Sequence, residues 1–264
     1  MVLEVNGNFG KCTFIDCFDG MKGIPDDEYD FSIIDPPWGV NVDGTKKRGI
    51  SKKGYPNQRH DERINYDDKF DPGFNKKWFD ELQRISKVQV VCIGRQKEYY
   101  WIRNFEPIGS IIIVIRNPYG SSKVSKFNAY SPYFLHGDLQ VENKLFKNVY
   151  FITMQCGFLN NTKKYHFIHP SPKNFGLWRD ITKDFFKGKY EGKKIIDIFG
   201  GTSTLGEVGE SLGIQWQTFE IKEDYLPDVE YRIERGIRRY SYKFKEKKES
   251  REIKLDNFIQ VRQS

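Results

Sequence analysis

The chain has 264 residues, enough for one α/β domain with a full core, and its 43 Lys and Arg against 36 Asp and Glu leave a formal net charge of +7. That excess suits a polyanionic partner without requiring one. Cys12, Cys17, Cys92 and Cys156 form no Cys-x-x-Cys pair, which argues against a zinc knuckle or a dithiol redox motif and fits reduced thiols. Met1 to Gly10 holds no apolar run behind a basic flank, and no stretch is long enough to span a membrane, so a soluble, intracellular protein is expected, in the cytoplasm or in the nucleoid or nucleus, and not secreted.

Short apolar runs alternate with amphipathic stretches, the pattern of an α/β fold. In chain order, the pattern predicts strands at Lys11–Asp16 and Phe31–Asp35, a helix at Asn75–Ser86, a strand at Val88–Ile93 and a helix at Gln96–Phe105. Strands follow at Ser110–Arg116 and Asn148–Met154, then a helix at Phe175–Lys187 and a strand at Lys194–Phe199. A helix at Thr204–Leu212, a strand at Gln215–Ile221 and a helix at Glu223–Arg235 complete the series. Three segments lack a period. Val40–Asp71 is rich in Lys, Arg, Gly and Asn and is long for a structureless loop, which suggests a working part or partial disorder. The other two are 119–147, a possible recognition segment, and the basic tail 238–264. Residues 1–237 are expected to form a single catalytic domain.

The strongest local signal is Phe31-Ser-Ile-Ile-Asp-Pro-Pro-Trp-Gly39. Proline cannot continue a central strand, so the strand stops near Asp35, at the carboxyl end where open α/β sheets place ligands. Asp35, Pro36, Pro37 and Trp38 are the candidate catalytic residues. An exocyclic amino group on a base is a poor nucleophile because its lone pair is delocalised. The Asp35 carboxylate and the Pro36 carbonyl can accept its two hydrogens, Pro37 stiffens the turn, and Trp38 can stack on the base. A base inside a duplex is out of reach, so it must be flipped out or presented on a single strand.

A second signal is Lys194-Ile-Ile-Asp-Ile-Phe-Gly-Gly-Thr-Ser-Thr-Leu-Gly206, a strand running through two glycines into a helix. Glycine permits close backbone approach, and a helix N-terminus favours a nearby carboxylate. About twenty residues beyond Asp197, Glu220 ends an apolar strand at a spacing suited to accepting bonds from ribose hydroxyls. The glycine spacing does not fit the G-x-G-x-x-G of nicotinamide cofactors.

Together these features resemble the beta class of amino-group DNA methyltransferases, in which the catalytic Asp-Pro-Pro-aromatic motif precedes the cofactor glycine motif. Asp35-Pro-Pro-Trp38 matches the first. Asp197-Ile-Phe-Gly-Gly-Thr-Ser203 resembles the second, D-P-F-x-G-S-G, with Ile198 for Pro and Thr202 and Ser203 for Ser and Gly. His169-Pro-Ser-Pro-Lys173 resembles the H-P-T-x-K segment, Ile15-Asp16-Cys17 the G-D-C stretch, and Asn128-Ala129-Tyr130 an N-A-H segment. The resemblance implies a Rossmann-like, seven-stranded, mostly parallel sheet with helices on both faces and a circularly permuted motif order. It also implies S-adenosyl-L-methionine as cofactor, held by Asp16, Cys17, Asp35, Lys173, Asp197, Phe199, Gly200, Gly201, Thr202, Ser203 and Glu220.

Asp at the first motif position leans toward adenine N6, and the glycine and His-Pro-x-x-Lys segments, which look like those of the DNA enzymes, lean toward DNA. The open alternatives are adenosine N6 in RNA, which the Trp also suits, cytosine N4 in DNA, and a catalytically silent nucleic-acid-binding subunit. Lys46, Lys47, Arg48, Lys52, Lys53, Arg59 and Arg63 sit in the long loop after Trp38 and are the candidates for phosphate contact. A homodimer or a partner methyltransferase subunit is possible within the resemblance. His60, His136, His166 and His169 show no metal-binding spacing, and no metal is expected.

Overall fold

The computed structural model describes residues 2–37, 71–94, 97–115, 130–138, 148–152, 167–169 and 171–242. Trp38, the loop cations Lys46, Lys47, Arg48, Lys52, Lys53, Arg59 and Arg63, Asn128, Ala129, Cys156, His60 and His166 lie outside the described residues.

Nine strands form one sheet among the described residues: β1 (Leu3–Asn6), β2 (Gly10–Phe14), β3 (Phe31–Ile34), β4 (Val88–Cys92), β5 (Gly109–Ile115), β6 (Tyr130–Gly137), β7 (Val149–Ile152), β8 (Lys194–Asp197) and β9 (Gln215–Glu220). Their spatial order is β1-β2-β9-β8-β3-β4-β6-β5-β7. The expected count of seven is therefore corrected to nine. The expected strands all run in one direction, and the two that were missed, β1 and β6, run against it.

Helices cover both faces. On one face lie α1 (Cys17–Met21), α2 (Pro72–Ile85) and α3 (Glu98–Phe105), packed through Met21, Trp78, Phe79 and Trp101. On the other lie α4 (Phe175–Phe186), α5 (Thr204–Leu212) and α6 (residues 226–242), packed through Trp178, Leu205, Val208, Val229 and Ile233. The helix expected from Glu223 opens as a 3-10 turn, Glu223–Tyr225, and stays helical to residue 242, so the residues expected to begin the tail continue α6.

Local chemistry sets the helix ends. Asp71 caps α2, its carboxylate accepting from the N–H groups of Gly73 and Phe74 at 2.8 and 3.2 Å, with Pro72 in the first turn, where no intrahelical donor is needed. Gly206 and Gly209 let α5 lie directly on Trp216, since a Cβ at either would come within 3 Å of the indole. The buried Glu207 of α5 is clamped by Arg232 at 2.8 Å and Arg235 at 2.7 Å from α6.

Candidate functional site

The strands β2, β9, β8, β3 and β4 are mutually parallel, so their carboxyl ends share one edge of the sheet. From β8 the chain passes to β9 on one side, and from β3 it passes to β4 on the other. The turns after β8 and β3 therefore diverge and leave a crevice between them, the position where open α/β sheets bind ligands.

On one side of the crevice, β3 ends at Ile34 and Asp35 begins the proline corner. The Lys173 ammonium forms an ion pair with Asp35 Oδ2, both side chains being partly buried. Burial works against the charge on Lys173, but the surrounding groups, Asp35 foremost and Asp197 behind it, together outweigh that and hold the ammonium above its ordinary pKa. Lys173 itself is anchored, since its backbone carbonyl accepts from Arg232 Nη2 at 2.9 Å.

On the other side, β8 ends at Asp197, whose Oδ1 accepts from the Phe199 N–H at 2.9 Å. Asp197 is fully buried and its Oδ2 has no partner, and burial pushes its pKa well above the carboxylate range. The Gly200 N–H donates to the Phe219 carbonyl at 2.6 Å, and Gly201 turns through φ +52°. A side chain at Gly201 would press on His169 Nε2, at 3.2 Å. Glu220 closes this side. Its Oε2 accepts from the Gly201 N–H at 2.7 Å and its Oε1 from the Lys222 N–H at 2.9 Å, while burial pushes its pKa up to about 7. Each carboxylate oxygen has a second lone pair.

Ser203 occupies the position where the resembling motif carries glycine, and it keeps a glycine-like backbone, with φ 55° and ψ 49°. For an L-residue this conformation costs about 1–2 kcal/mol. The Ser203 hydroxyl shares a hydrogen bond with Thr218 Oγ1 at 3.0 Å, which offsets part of that. Ser203→Ala keeps the strained backbone and removes the buried hydrogen bond to the Thr218 hydroxyl, so a loss of about 1–2 kcal/mol is expected in urea unfolding. Ser203→Gly relaxes the backbone and should stay within about 1 kcal/mol of the parent. Equal losses in the two variants would mean that no strain is stored here.

The crevice encloses about 190 Å³. Of the sequence-predicted residues, Asp16, Cys17, Asp35, Pro37, Lys173, Phe199, Gly200, Gly201, Thr202 and Glu220 line it together. Pro36, Asp197 and Ser203 are buried behind the lining. Asp16 also caps α1, accepting from the Phe18 N–H at 2.9 Å. Phe74, Trp178, Lys222 and His169 are among the residues that also form the wall without having been predicted as site residues. His169 opens the very segment that supplied Lys173, and so was within reach of the sequence. Its Nδ1 accepts from the Ser171 N–H at 3.0 Å, while burial, with Lys173, Arg232 and Lys222 nearby, pulls its pKa down to about 3. The imidazole is therefore neutral at pH 7, with its proton on Nε2, the nitrogen beside Gly201. Among the described residues, no cluster of three His, Cys, Asp or Glu converges as a metal site, and no helix is long and apolar enough to cross a membrane.

No family model matches the sequence, and no curated protein matches it. Solved structures match the fold. The cytosine-N4-specific PvuII DNA methyltransferase aligns with a TM-score of 0.58 at 15% identity, covering 89% of this chain and 93% of its own. M1.HpyAVI, solved in complex with SAM, aligns with a TM-score of 0.54 at 14% identity, covering 85% of this chain and 98% of its own. At these identities the likeness establishes a shared fold: a single large, mostly parallel sheet with helices, covering most of each chain.

Proposed function

We propose that the chain is an S-adenosylmethionine-dependent methyltransferase acting on the N6 amino group of adenine in DNA. The observation that carries this reading is the meeting of the Asp35 corner and the Gly200–Gly201 bend in one crevice, although 165 residues of sequence separate Asp35 from Gly200. The fold shared with structures named as DNA methyltransferases supports it. Asp rather than Ser at position 35 is the reason for preferring adenine.

The residues fit the cofactor. Glu220 has lone pairs left for ribose hydroxyls, Asp197 holds an unpartnered buried oxygen behind the bend, and Gly201 offers bare backbone where a side chain would press on His169. Asp16 and Cys17 would flank the adenine, and Lys173 offers a cation for the amino-acid carboxylate. When bound, the cofactor supplies a methyl group on a sulfonium. The chain's own work is to hold the acceptor amine. The Asp35 carboxylate and the Pro36 carbonyl accept its two hydrogens, which localises the nitrogen lone pair, and Asp35 then takes up the proton released on transfer. His169, being neutral, adds no charge to repel a sulfonium. Trp38 would stack on the flipped base, and the cations of loop 40–71 would hold the phosphates on either side of it.

The test is incubation with methyl-tritiated S-adenosylmethionine and matched DNA and RNA oligonucleotides, followed by nucleoside analysis. Label in N6-methyldeoxyadenosine is expected. Label in N4-methyldeoxycytidine or in RNA would replace the assigned substrate.

Glu220 adds a pH signature. Hydroxyl donors bond best to its ionised form, so cofactor affinity should be greatest above its pKa of about 7 and should weaken as pH falls below it, by up to about tenfold per unit. Calorimetry from pH 8 to pH 5.5 should show this slope in the parent and a flatter one in Glu220→Gln. The same slope in both would remove Glu220 from the site.

A further inference from the structure

The carboxylate at the centre of the proposed reaction does not stand alone on the sheet. Ile34 pairs with Val91 across β3 and β4, and Cys92 pairs with Tyr133 across β4 and β6. One step beyond Ile34 and Val91, Asp35 and Cys92 are neighbours, so Asp35, Cys92 and Tyr133 form a lateral row across three strands. Residues in register on adjacent strands leave the same face of a sheet. That face is the one covered by α4, where Cys92 and Tyr133 pack in the same core cluster as Trp178. Lys173, two residues before α4, completes the row from above through its ion pair with Asp35.

Cys92 and Tyr133 are 6% and 4% exposed, in a setting that apolar side chains would fill at lower cost. Instead the thiol faces both the Asp35 carboxylate and the Tyr133 phenol, and the phenol faces the Trp178 indole. The Ser131 hydroxyl lies 4.0 Å from the Cys92 sulfur. Burial and the Asp35 charge push the thiol pKa up to about 12, so it stays a neutral donor that does not repel the carboxylate.

Taking the methyltransferase reading as its basis, we propose that Cys92 and Tyr133 are positioning residues for Asp35: the thiol, backed by the phenol, and the Lys173 ammonium together hold the carboxylate in the one orientation that presents it to the crevice. A merely space-filling pair would tolerate isosteric apolar replacement, whereas a positioning pair would not.

The test uses the full chain with Cys92→Ala, Cys92→Ser and Tyr133→Phe, read two ways. In steady-state methyl transfer, Cys92→Ala and Tyr133→Phe are expected to lower kcat about tenfold with the cofactor KM within about twofold, while Cys92→Ser, which keeps a donor, recovers most of the loss. In protein labelled with carboxyl-13C aspartate and free of cofactor, the Asp35 resonance, identified by its loss in Asp35→Asn, should move in Cys92→Ala and Tyr133→Phe and return in Cys92→Ser. An unchanged kcat, equal losses in the Ala and Ser variants, or a resonance that stays in place would overturn the proposal. A parent protein that transfers no methyl group to any acceptor would instead sink the functional reading, and the carboxyl resonance would still decide whether the row aims Asp35.

Discussion

Asp35→Ala is expected to reduce methyl transfer by on the order of 10³-fold or more while S-adenosylmethionine still binds. In the proposed reaction, the substitution removes the acceptor that would localise the amine's lone pair and take up its proton, leaving only the Pro36 carbonyl. It also frees the Lys173 ammonium, whose partner in the crevice is the Asp35 carboxylate. A free ammonium would attract the cofactor's carboxylate at least as strongly, so calorimetric affinity should be equal or slightly tighter. Asp35→Asn keeps one acceptor oxygen and should fall between the parent and Asp35→Ala. Transfer by Asp35→Ala within tenfold of the parent would show that Asp35 does not carry the chemistry.

Glu207→Ala should cost about 3–5 kcal/mol of stability, the largest structural loss expected from any single change considered. Glu207 is fully buried in α5 and pairs with Arg232, itself 3% exposed, and with Arg235. Removing the carboxylate takes the shared counter-charge from Arg232 and Arg235, in or near the core, and from the more exposed Arg239. Because Arg232 also donates to the Lys173 carbonyl, the damage should reach the crevice and weaken cofactor binding as well. Urea unfolding measures the first effect and calorimetry the second. Pairing Glu207→Leu with Arg232→Met should recover much of the stability, since an apolar pair avoids burying charge. A loss below about 1 kcal/mol in Glu207→Ala would mean that the guanidiniums find water or other partners.

The strands of common direction were legible because each is a short apolar run next to an amphipathic helix, a signal carried within a few residues. The two opposing strands were not. β6 holds Pro132, which argues locally against a central strand. The structure tolerates it because the β4–β6 ladder ends there: Ile93 donates to the Pro132 carbonyl at 3.0 Å, and the missing proline N–H falls just beyond the last pair, Cys92 and Tyr133. β1 is four residues long, and only the Asn6-Gly7-Asn8 turn chemistry, with Gly7 donating to the Gly10 carbonyl at 2.8 Å, would have disclosed its hairpin.

The site divides in the same way. The Asp35 corner and the Gly200–Gly201 bend are contiguous motifs whose chemistry is complete within a few residues. The Lys173 ion pair, the Cys92 and Tyr133 row, and the buried link from Glu207 through Arg232 arise from register and packing between distant segments, and spacing along the chain carries no trace of them. Ser203 shows the converse. Its sequence departs from the glycine pattern, yet the backbone keeps the left-handed turn.

The central claim is tested most directly by a crystal structure of the chain grown with S-adenosylhomocysteine. The account predicts the ribose against Glu220, the adenine beside Asp16 and Cys17, and the sulfur in the crevice facing Asp35. A ligand bound elsewhere, or one whose sulfur points away from the proline corner, would contradict it.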